Sequence, residues 1–105
     1  MSHLALLYVT FPTREEARRV GQHLLEEKLV GCVNILGPIQ SLYTWQDKIE
    51  ESQEVVALLK TTPERVADVR SAIEAAHSYD TPAIIELPVT STNDAFAGWL
   101  TASVR

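Results

Sequence analysis

The stretch at residues 31–61, GCVNILGPIQSLYTWQDKIEESQEVVALLKT, decides the fold because it reads as two long strands folded back on each other. In its first half apolar side chains occupy odd positions, which is the period of a half-buried strand. This pattern predicts that one face of the strand carries Val33, Ile35, Ile39, Tyr43 and Trp45. The pair Gly37-Pro38 interrupts the run and predicts a bulge or a bend that twists the strand without ending it.

The polar tip at residues 46–48 reverses the chain, and the second half ends in the apolar run 55–59, VVALL. Because this run is apolar on both faces, it is predicted to be a central strand that helices cover on at least one side. Each of the two predicted strands is longer than a usual strand, which has about five or six residues. A hairpin of that length projects beyond a small domain, so Tyr43 and Trp45 face water unless another chain covers them. This is a first indication of an oligomer.

Length and composition limit the classes of protein to which the chain can belong. A chain of 105 residues, 46% apolar and 22% charged, is predicted to form one globular domain over residues 1–105. Its net charge of −5, without a cluster of Lys and Arg, argues against a nucleic-acid partner. No apolar run approaches the about 18 residues of a membrane span, so no membrane partner is expected. Cys32 is the only cysteine, which excludes an internal disulfide and favours a reducing, cytoplasmic location.

Helices are predicted on either side of the hairpin. Thr13 stands three residues before Glu16, which is the spacing of a capping box and opens a helix that runs to about residue 28. Gly31 follows just past its end, where helices favour glycine. Thr62-Pro63 supplies an N-cap and a first-turn proline for the second helix.

Short strands are predicted at residues 3–10 and 83–89, and a short last helix follows residues 91–94. The order is therefore β-α-β-β-α-β plus a terminal helix. Two βαβ units joined by a hairpin give the ferredoxin-like sandwich, an α+β fold. This fold places a four-stranded antiparallel sheet against two helices on one face, here with an extended hairpin and a C-terminal helix.

Several short motifs, spread in order over nearly the whole chain, resemble those of the CutA family of divalent-cation tolerance proteins. They are Gly31-Cys32-Val33-Asn34-Ile35, Ile39-x-Ser41-x-Tyr43-x-Trp45, Lys48-Ile49-Glu50-Glu51, Glu54-Val55, Lys60-Thr61, His77-x-Tyr79-x-x-Pro82 and Trp99. The shared order and spacing of the motifs make the resemblance specific, although no single motif would be specific by itself. The chain departs from the family pattern at Asp47, Ser78 and Ala83, where Gly, Pro and an acidic residue are usual.

The resemblance implies a homotrimer in which the long hairpins of neighbouring subunits complete each other's sheets. It also implies a role in tolerance of copper and other divalent metal ions. The leading hypothesis is therefore a homotrimer that is not an enzyme, responds to divalent metal ions and binds copper weakly. The family acid that Ala83 replaces would have stood beside His77 and Tyr79, where it could have served as a ligand or base.

Copper prefers sulfur and imidazole ligands, and the favoured candidates are Cys32 and His77, followed by His23, His3 and Met1. None of them is paired within the chain at the spacing of a known metal motif. An alternative interpretation is that Cys32, at the start of an apolar strand, is a small buried side chain without a ligand role. His77 follows the last turn of a helix, where a side chain that bonds the free carbonyl groups is favoured for structural reasons alone.

A second hypothesis is a small-ligand sensor like the PII signalling proteins, which share this architecture. An anionic metabolite would then bind in a cleft between subunits, formed by Asn34, Tyr43, Lys60, His77 and Tyr79 together with Trp45 of a neighbouring subunit. Tyr43 and Trp45 equally suit packing at a subunit interface. A third hypothesis, a small hydrolase of the acylphosphatase type, depends on Arg14 alone as an anion ligand and lacks the glycine-rich loop.

Overall fold

The computed structural model describes residues 4–105, and its element order is the one predicted, β-α-β-β-α-β followed by a terminal helix. The elements are β1 (Ala5–Phe11), α1 (Arg14–Glu26), β2 (Cys32–Trp45), β3 (Lys48–Thr61), a 3-10 turn (Pro63–Arg65), α2 (Val66–Ala76), β4 (Ile84–Leu87) and α3 (Asp94–Ser103). The candidate ligands Met1 and His3, and with His3 the start of the predicted first strand, lie outside the described residues. None of the helices within residues 4–105 has the length and apolar character that crossing a membrane requires.

The four described strands form one antiparallel sheet in the order β2-β3-β1-β4. Alternate residues of β1 and β3 face α1 and α2 and make the core with them. Its members, each at most 2% exposed, include Leu7, Val9, Phe11, Ala17, Val20, Leu24, Ala57, Leu59, Val69 and Ile73. Burial stabilises by about 1.5–3 kcal/mol for each of the larger side chains, so this layer holds the two helices on one face of the sheet. The predicted ferredoxin-like fold is confirmed.

A bulge at Gly37-Pro38 turns the outer half of β2 over relative to its inner half. Ile35 stands opposite Ala57, whereas Ile39 stands opposite Glu54, so β2 has one residue more than β3 between these pairs. Directly opposed residues of an antiparallel pair share a face, and the side-chain period is two. The prediction of one continuous apolar face is therefore wrong. The odd-numbered residues before the bulge face the helices, and those after it face the other way.

The bulge is tied to the start of α1. The Arg14 guanidinium donates a hydrogen bond to the backbone oxygen of Gly37 at 2.8 Å. Gly37 has a φ of 137°, a conformation open to glycine and not to L side chains, and a Cβ there would lie 3.2 Å from Val55. Arg14, the only anion ligand of the hydrolase hypothesis, thus fixes the backbone at the base of the hairpin.

The end of α1 differs from the prediction. The helix stops at Glu26, and Lys28 rather than Gly31 takes the left-handed conformation beyond it, with a φ of 56°. Gly31 is required for a different reason, since a Cβ at this position would lie 2.6 Å from Cδ1 of the fully buried Leu100. The absence of a side chain at Gly31 allows α3 to pack against the start of β2.

The hairpin of β2 and β3 extends well past the helices. Each strand has 14 residues, and the molecule measures 45 Å along its longest axis against 27 and 22 Å along the others. Beyond the bulge, Leu42 and Ile49 lie on one face of the hairpin and Tyr43 and Trp45 on the other. All four are exposed within residues 4–105, Ile49 by 78%. Exposed apolar side chains in this number indicate a surface that contacts another molecule.

Candidate functional site

His77 lies at the centre of a buried hydrogen-bonded network at the end of α2. Its side chain is fully buried, and its ring stacks on that of Phe11 with 4.5 Å between the ring centres. Nε2 lies 2.7 Å from the backbone oxygen of Thr10, and Nδ1 accepts the backbone N–H of Tyr79 at 3.0 Å. Since Nδ1 is an acceptor, the imidazole is neutral and carries its proton on Nε2, which donates to Thr10.

Glu16 on α1 holds the turn that follows His77. Its Oε2 accepts the backbone N–H of Ser78 at 2.9 Å and lies 3.5 Å from Nδ1 of His77. The predicted capping box is half present, because Thr13 Oγ1 accepts the N–H of Glu16 at 3.1 Å while the Glu16 carboxylate is bonded to Ser78. Burial acts to raise the pKa of the Glu16 carboxyl, but the hydrogen bonds from Ser78, helped by the positive charge of Arg19, outweigh burial and lower this pKa.

Replacing Glu16 by glutamine is expected to lower the free energy of unfolding at pH 7 by about 1 kcal/mol, because an ionised acceptor bonds more strongly than a neutral one. The pKa of Glu16 is depressed in the folded state. Its stabilisation is therefore present above the pKa of the unfolded state and is lost as the pH falls through the folded-state pKa. Urea unfolding at a series of pH values measures this, and the difference between the two proteins should vanish in acid.

Glu15→Gln is the matched control, since Glu15 is exposed in the same first turn of α1 and experiences the same helix dipole. Its free energy of unfolding should change by no more than about 0.5 kcal/mol. Equal losses for the two variants, or a loss for Glu16→Gln that persists at low pH, would show that the Glu16 carboxylate does not hold the turn.

Tyr79 connects this turn to the open face of the sheet, the face away from α1 and α2. Its hydroxyl donates to Oε2 of Glu54 at 2.8 Å, and its ring centre lies 4.8 Å from that of His77. Burial and the neighbouring Glu54 carboxylate raise the pKa of Tyr79 far above its usual value, so the hydroxyl stays protonated. Glu54 is only 8% exposed, and this hydrogen bond fixes the position of its carboxylate.

A cavity of about 600 Å³ lies beside the Tyr79–Glu54 pair, between the outer half of the hairpin and the segment at residues 79–83. Its lining consists of Thr10, Ser41, Leu42, Tyr43, Trp45, Ser52, Glu54, Tyr79, Asp80, Thr81 and Ala83. The volume is within the range of small-molecule sites. Within residues 4–105 the lining contains two carboxylates and three aromatic rings but no Lys, Arg or His.

Within one chain the structure brings together three of the predicted cleft residues, namely Tyr43, Trp45 and Tyr79. Asn34 and Lys60 lie towards the opposite end of the hairpin, where Asn34 pairs with Leu58 and Nζ of Lys60 lies 5.3 Å from the centre of the Phe96 ring on α3. Since Lys60 is remote and the described lining is acidic, the cavity does not favour the predicted anionic ligand.

The two candidate copper ligands lie far apart within one chain. Cys32 pairs with Lys60, which pairs with Leu6 on β1, whereas His77 bonds to Thr10. Leu6 and Thr10 are separated by about 13 Å of strand. Nowhere in residues 4–105 are three or more His, Cys, Asp or Glu side chains grouped to hold a metal ion. The assignment of Cys32 and His77 to metal stays a prediction, and His23 is exposed on α1.

Sequence reasoning missed the two carboxylates that organise this site. Glu16 and Ser78 are 62 positions apart in the chain, so no local sequence pattern predicts their contact. Glu54 stands directly before the buried run 55–59, and an acid next to a buried strand is a signal that it has a partner.

The chain is similar in sequence and in structure to a known family of proteins. The family model described as CutA1 divalent ion tolerance protein matches residues 5–103. The crystal structure of divalent ion tolerance protein CutA1 from Ehrlichia chaffeensis is similar with a TM-score of 0.93 and 44% identity, covering 98% of this chain and 96% of that one. The periplasmic divalent cation tolerance protein CutA from Archaeoglobus fulgidus gives 0.94 and 40%, covering 97% and 99%. A chloroplastic CutA protein from Arabidopsis thaliana is 35% identical over 95% of this chain, which spans 55% of the plant protein.

These relatives correct the predicted cytoplasmic location. The Archaeoglobus fulgidus protein is described as periplasmic and the Arabidopsis thaliana protein as chloroplastic, so related chains occur in several compartments. The argument from Cys32 does not distinguish one compartment from another. A single cysteine forms no internal disulfide in any compartment, and its presence therefore carries no information about the redox environment.

Proposed function

The chain belongs to the CutA1 divalent ion tolerance protein family, and we propose that it acts in tolerance of divalent metal ions as a homotrimer without catalytic activity. The role is supported by relatives from Archaeoglobus fulgidus and Thermus thermophilus, which are named as divalent-cation tolerance proteins and not after a reaction. We include in the proposal that the chain is a single domain, which the one sheet and one core within residues 4–105 support.

The exposed outer half of the hairpin is the observation that carries the proposed assembly. Trp45 is 61% and Ile49 78% exposed, so a second copy that covered them would remove apolar surface from water on both faces of the hairpin. β2 is also an edge strand, whose free backbone groups are able to pair with a strand of a neighbour. The number three comes from the family resemblance, in which neighbouring hairpins complete each other's sheets.

We propose that copper binds weakly and that Cys32 is its first ligand. Cys32 is partly exposed, and sulfur is a preferred ligand of copper. A trimer would present the residue three times, and three chains of net charge −5 would carry about −15, which attracts cations in general. His77 ranks after Cys32 as a candidate ligand, because its ring nitrogens become available to a metal only if their hydrogen bonds to Thr10 and Tyr79 open.

Titration of the metal-free protein with Cu(II) in a calorimeter tests the copper proposal. The wild type is expected to give a saturable heat, and Cys32→Ser is expected to lose most of it. His23→Ala is the control, since this exposed imidazole on α1 should leave the heat unchanged. Equal heats for wild type and Cys32→Ser would contradict the role of Cys32. A heat that disappears at physiological salt would mean that net charge alone attracts the metal.

A further inference from the structure

We propose that the first turn of α1 clamps the hairpin at its base and holds the outer half of the hairpin at the angle that assembly requires. Residues 39–45 and 48–54 form this outer half, the arm. The clamp consists of two contacts, one that Arg14 makes with β2 and one that Glu16 makes with β3 through the turn after α2. The role in assembly rests on the proposed trimer, whereas the clamp itself depends only on contacts within one chain.

The base of the arm is a point at which the hairpin is able to bend. Regular pairing of β2 with β3 is interrupted between Leu36 and Ile39, and Pro38 has no N–H group to donate to the sheet. Gly37 has a φ of 137°, and a glycine changes its backbone angles at little steric cost. The two strands by themselves therefore do not fix the angle between the arm and the rest of the sheet.

The first contact of the clamp fixes the strand that carries the bulge. Arg14 is the first residue of α1, and its guanidinium donates to the backbone oxygen of Gly37 at 2.8 Å. Hydrogen bonds with a charged partner are roughly twice as strong as neutral ones. The helix is itself held by the core, because Ala17 and Val20 are each at most 2% exposed. Arg14 therefore ties the bulge to a part of the molecule that does not move.

The second contact starts two residues later on the same turn and fixes the other strand. The Glu16 carboxylate accepts the backbone N–H of Ser78 at 2.9 Å. The hydroxyl of the next residue, Tyr79, donates to Glu54 at 2.8 Å. Glu54 stands opposite Ile39 in the first pair of residues beyond the bulge. The two contacts thus hold both strands at the same level of the hairpin, where a change of angle would begin.

The length of the arm makes its angle important for assembly. Because a strand rises about 3.3 Å per residue, the arm reaches about 23 Å beyond the clamp, and a tilt of about 10° moves its tip by about 4 Å. Apolar side chains are in contact only within about 4–4.5 Å. Trp45 and Ile49 at the tip would therefore miss their places on a neighbouring subunit. An arm that is held at one angle before association loses less conformational freedom when it binds.

Hydrogen exchange followed by mass spectrometry tests the clamp. Arg14→Gln removes the charged donor, and we expect the backbone amides of the arm to exchange about tenfold faster, relative to those of β1, than in the wild type. Amides of β1 report global unfolding, so the ratio isolates motion of the arm. Arg14→Lys keeps a charged donor and should recover part of the protection. Arg18→Gln is the matched control, since Arg18 is exposed on the same helix and its replacement changes the charge equally.

Tyr79→Phe tests the second contact in the same way. It removes the hydroxyl that bonds Glu54 and should also speed exchange of the arm more than exchange of β1, with a larger effect when it is combined with Arg14→Gln. The proposal is overturned if Arg14→Gln and Arg18→Gln show the same exchange. It is also overturned if the arm and β1 accelerate by one common factor, which is the signature of a general loss of stability.

Light scattering after dilution from urea separates the clamp from the trimer proposal. If the clamp serves assembly, Arg14→Gln should form trimers about tenfold more slowly than Arg18→Gln. Equal rates for these two variants would overturn the role in assembly. A wild-type protein that stays a single chain would overturn the trimer, and the exchange measurement would still decide whether the clamp exists.

Discussion

Replacing His77 by alanine is expected to lower the free energy of unfolding by about 3 kcal/mol or more. Removal of a fully buried ring costs about 3–5 kcal/mol, and the His77 side chain has no exposed surface. The change also takes a partner from the backbone oxygen of Thr10 and from the N–H of Tyr79. A fully buried group without a partner costs about 1–3 kcal/mol, and because these two groups are only partly buried, water recovers part of that cost. The loss is large compared with the about 5–15 kcal/mol that stabilises a typical domain.

Urea unfolding in the presence of a chelator measures this loss in the absence of metal. His23→Ala is the control, since His23 is exposed on α1 and its removal should change the free energy of unfolding by less than about 0.5 kcal/mol. Both variants must be compared at one protein concentration, because association contributes to stability. If His77→Ala matches His23→Ala in chelator and loses stability only when Cu(II) is present, the imidazole is a metal ligand and the structural role assigned to it is wrong.

Replacing Ile49 by lysine is expected to convert the proposed trimer into single chains at micromolar concentration. Ile49 is 78% exposed within one chain, so the substitution leaves the fold of that chain intact. In the proposed assembly the same side chain is covered in every copy. Each copy would lose about 2 kcal/mol of apolar burial and would also bury a charge, which is costly without a partner. Mass measurement by light scattering after size separation detects the change.

Leu25→Lys provides the comparison for Ile49→Lys. Leu25 is also an exposed apolar residue, at 42%, but it lies on α1 and outside the hairpin. The two variants change net charge equally, so a general effect of added charge would alter both proteins alike. Only Ile49→Lys should lower the mass, and circular dichroism should show that both variants keep their secondary structure. A trimer that survives Ile49→Lys would place the interface elsewhere on the molecule.

The architecture was predictable because its signals are local. Alternation of apolar residues, the Thr13 cap and the prolines at element ends each act over a few residues, and together they give the order of helices and strands. A bulge or a bend was predicted at Gly37-Pro38, but the reversal of the strand's faces beyond it was not. One additional residue in β2 turns every following side chain to the other face of the sheet. The sequence alone does not determine whether a glycine-proline pair adds a residue to the strand pairing or only bends the strand.

The candidate site was less predictable because it depends on contacts between distant segments. Tyr43, Trp45 and Tyr79 were expected to line a cleft between subunits; within one chain they line a common cavity, and the cleft between subunits stays a prediction. The partners that hold this region, Glu16 and Glu54, lie 62 and 25 positions from the residues they bond. Because such contacts decide which charged groups line the cavity, the sequence did not predict that its lining is acidic. An acidic lining does not match the anionic ligand that was expected.

The most direct test of the account is the mass of the wild-type protein in solution, measured by light scattering at micromolar concentration. The exposed apolar hairpin predicts that no single chain is detectable, and the family resemblance predicts three times the mass of one chain. A well-folded protein with the mass of one chain would contradict the account, because Leu42, Trp45 and Ile49 would then remain in water with nothing to cover them.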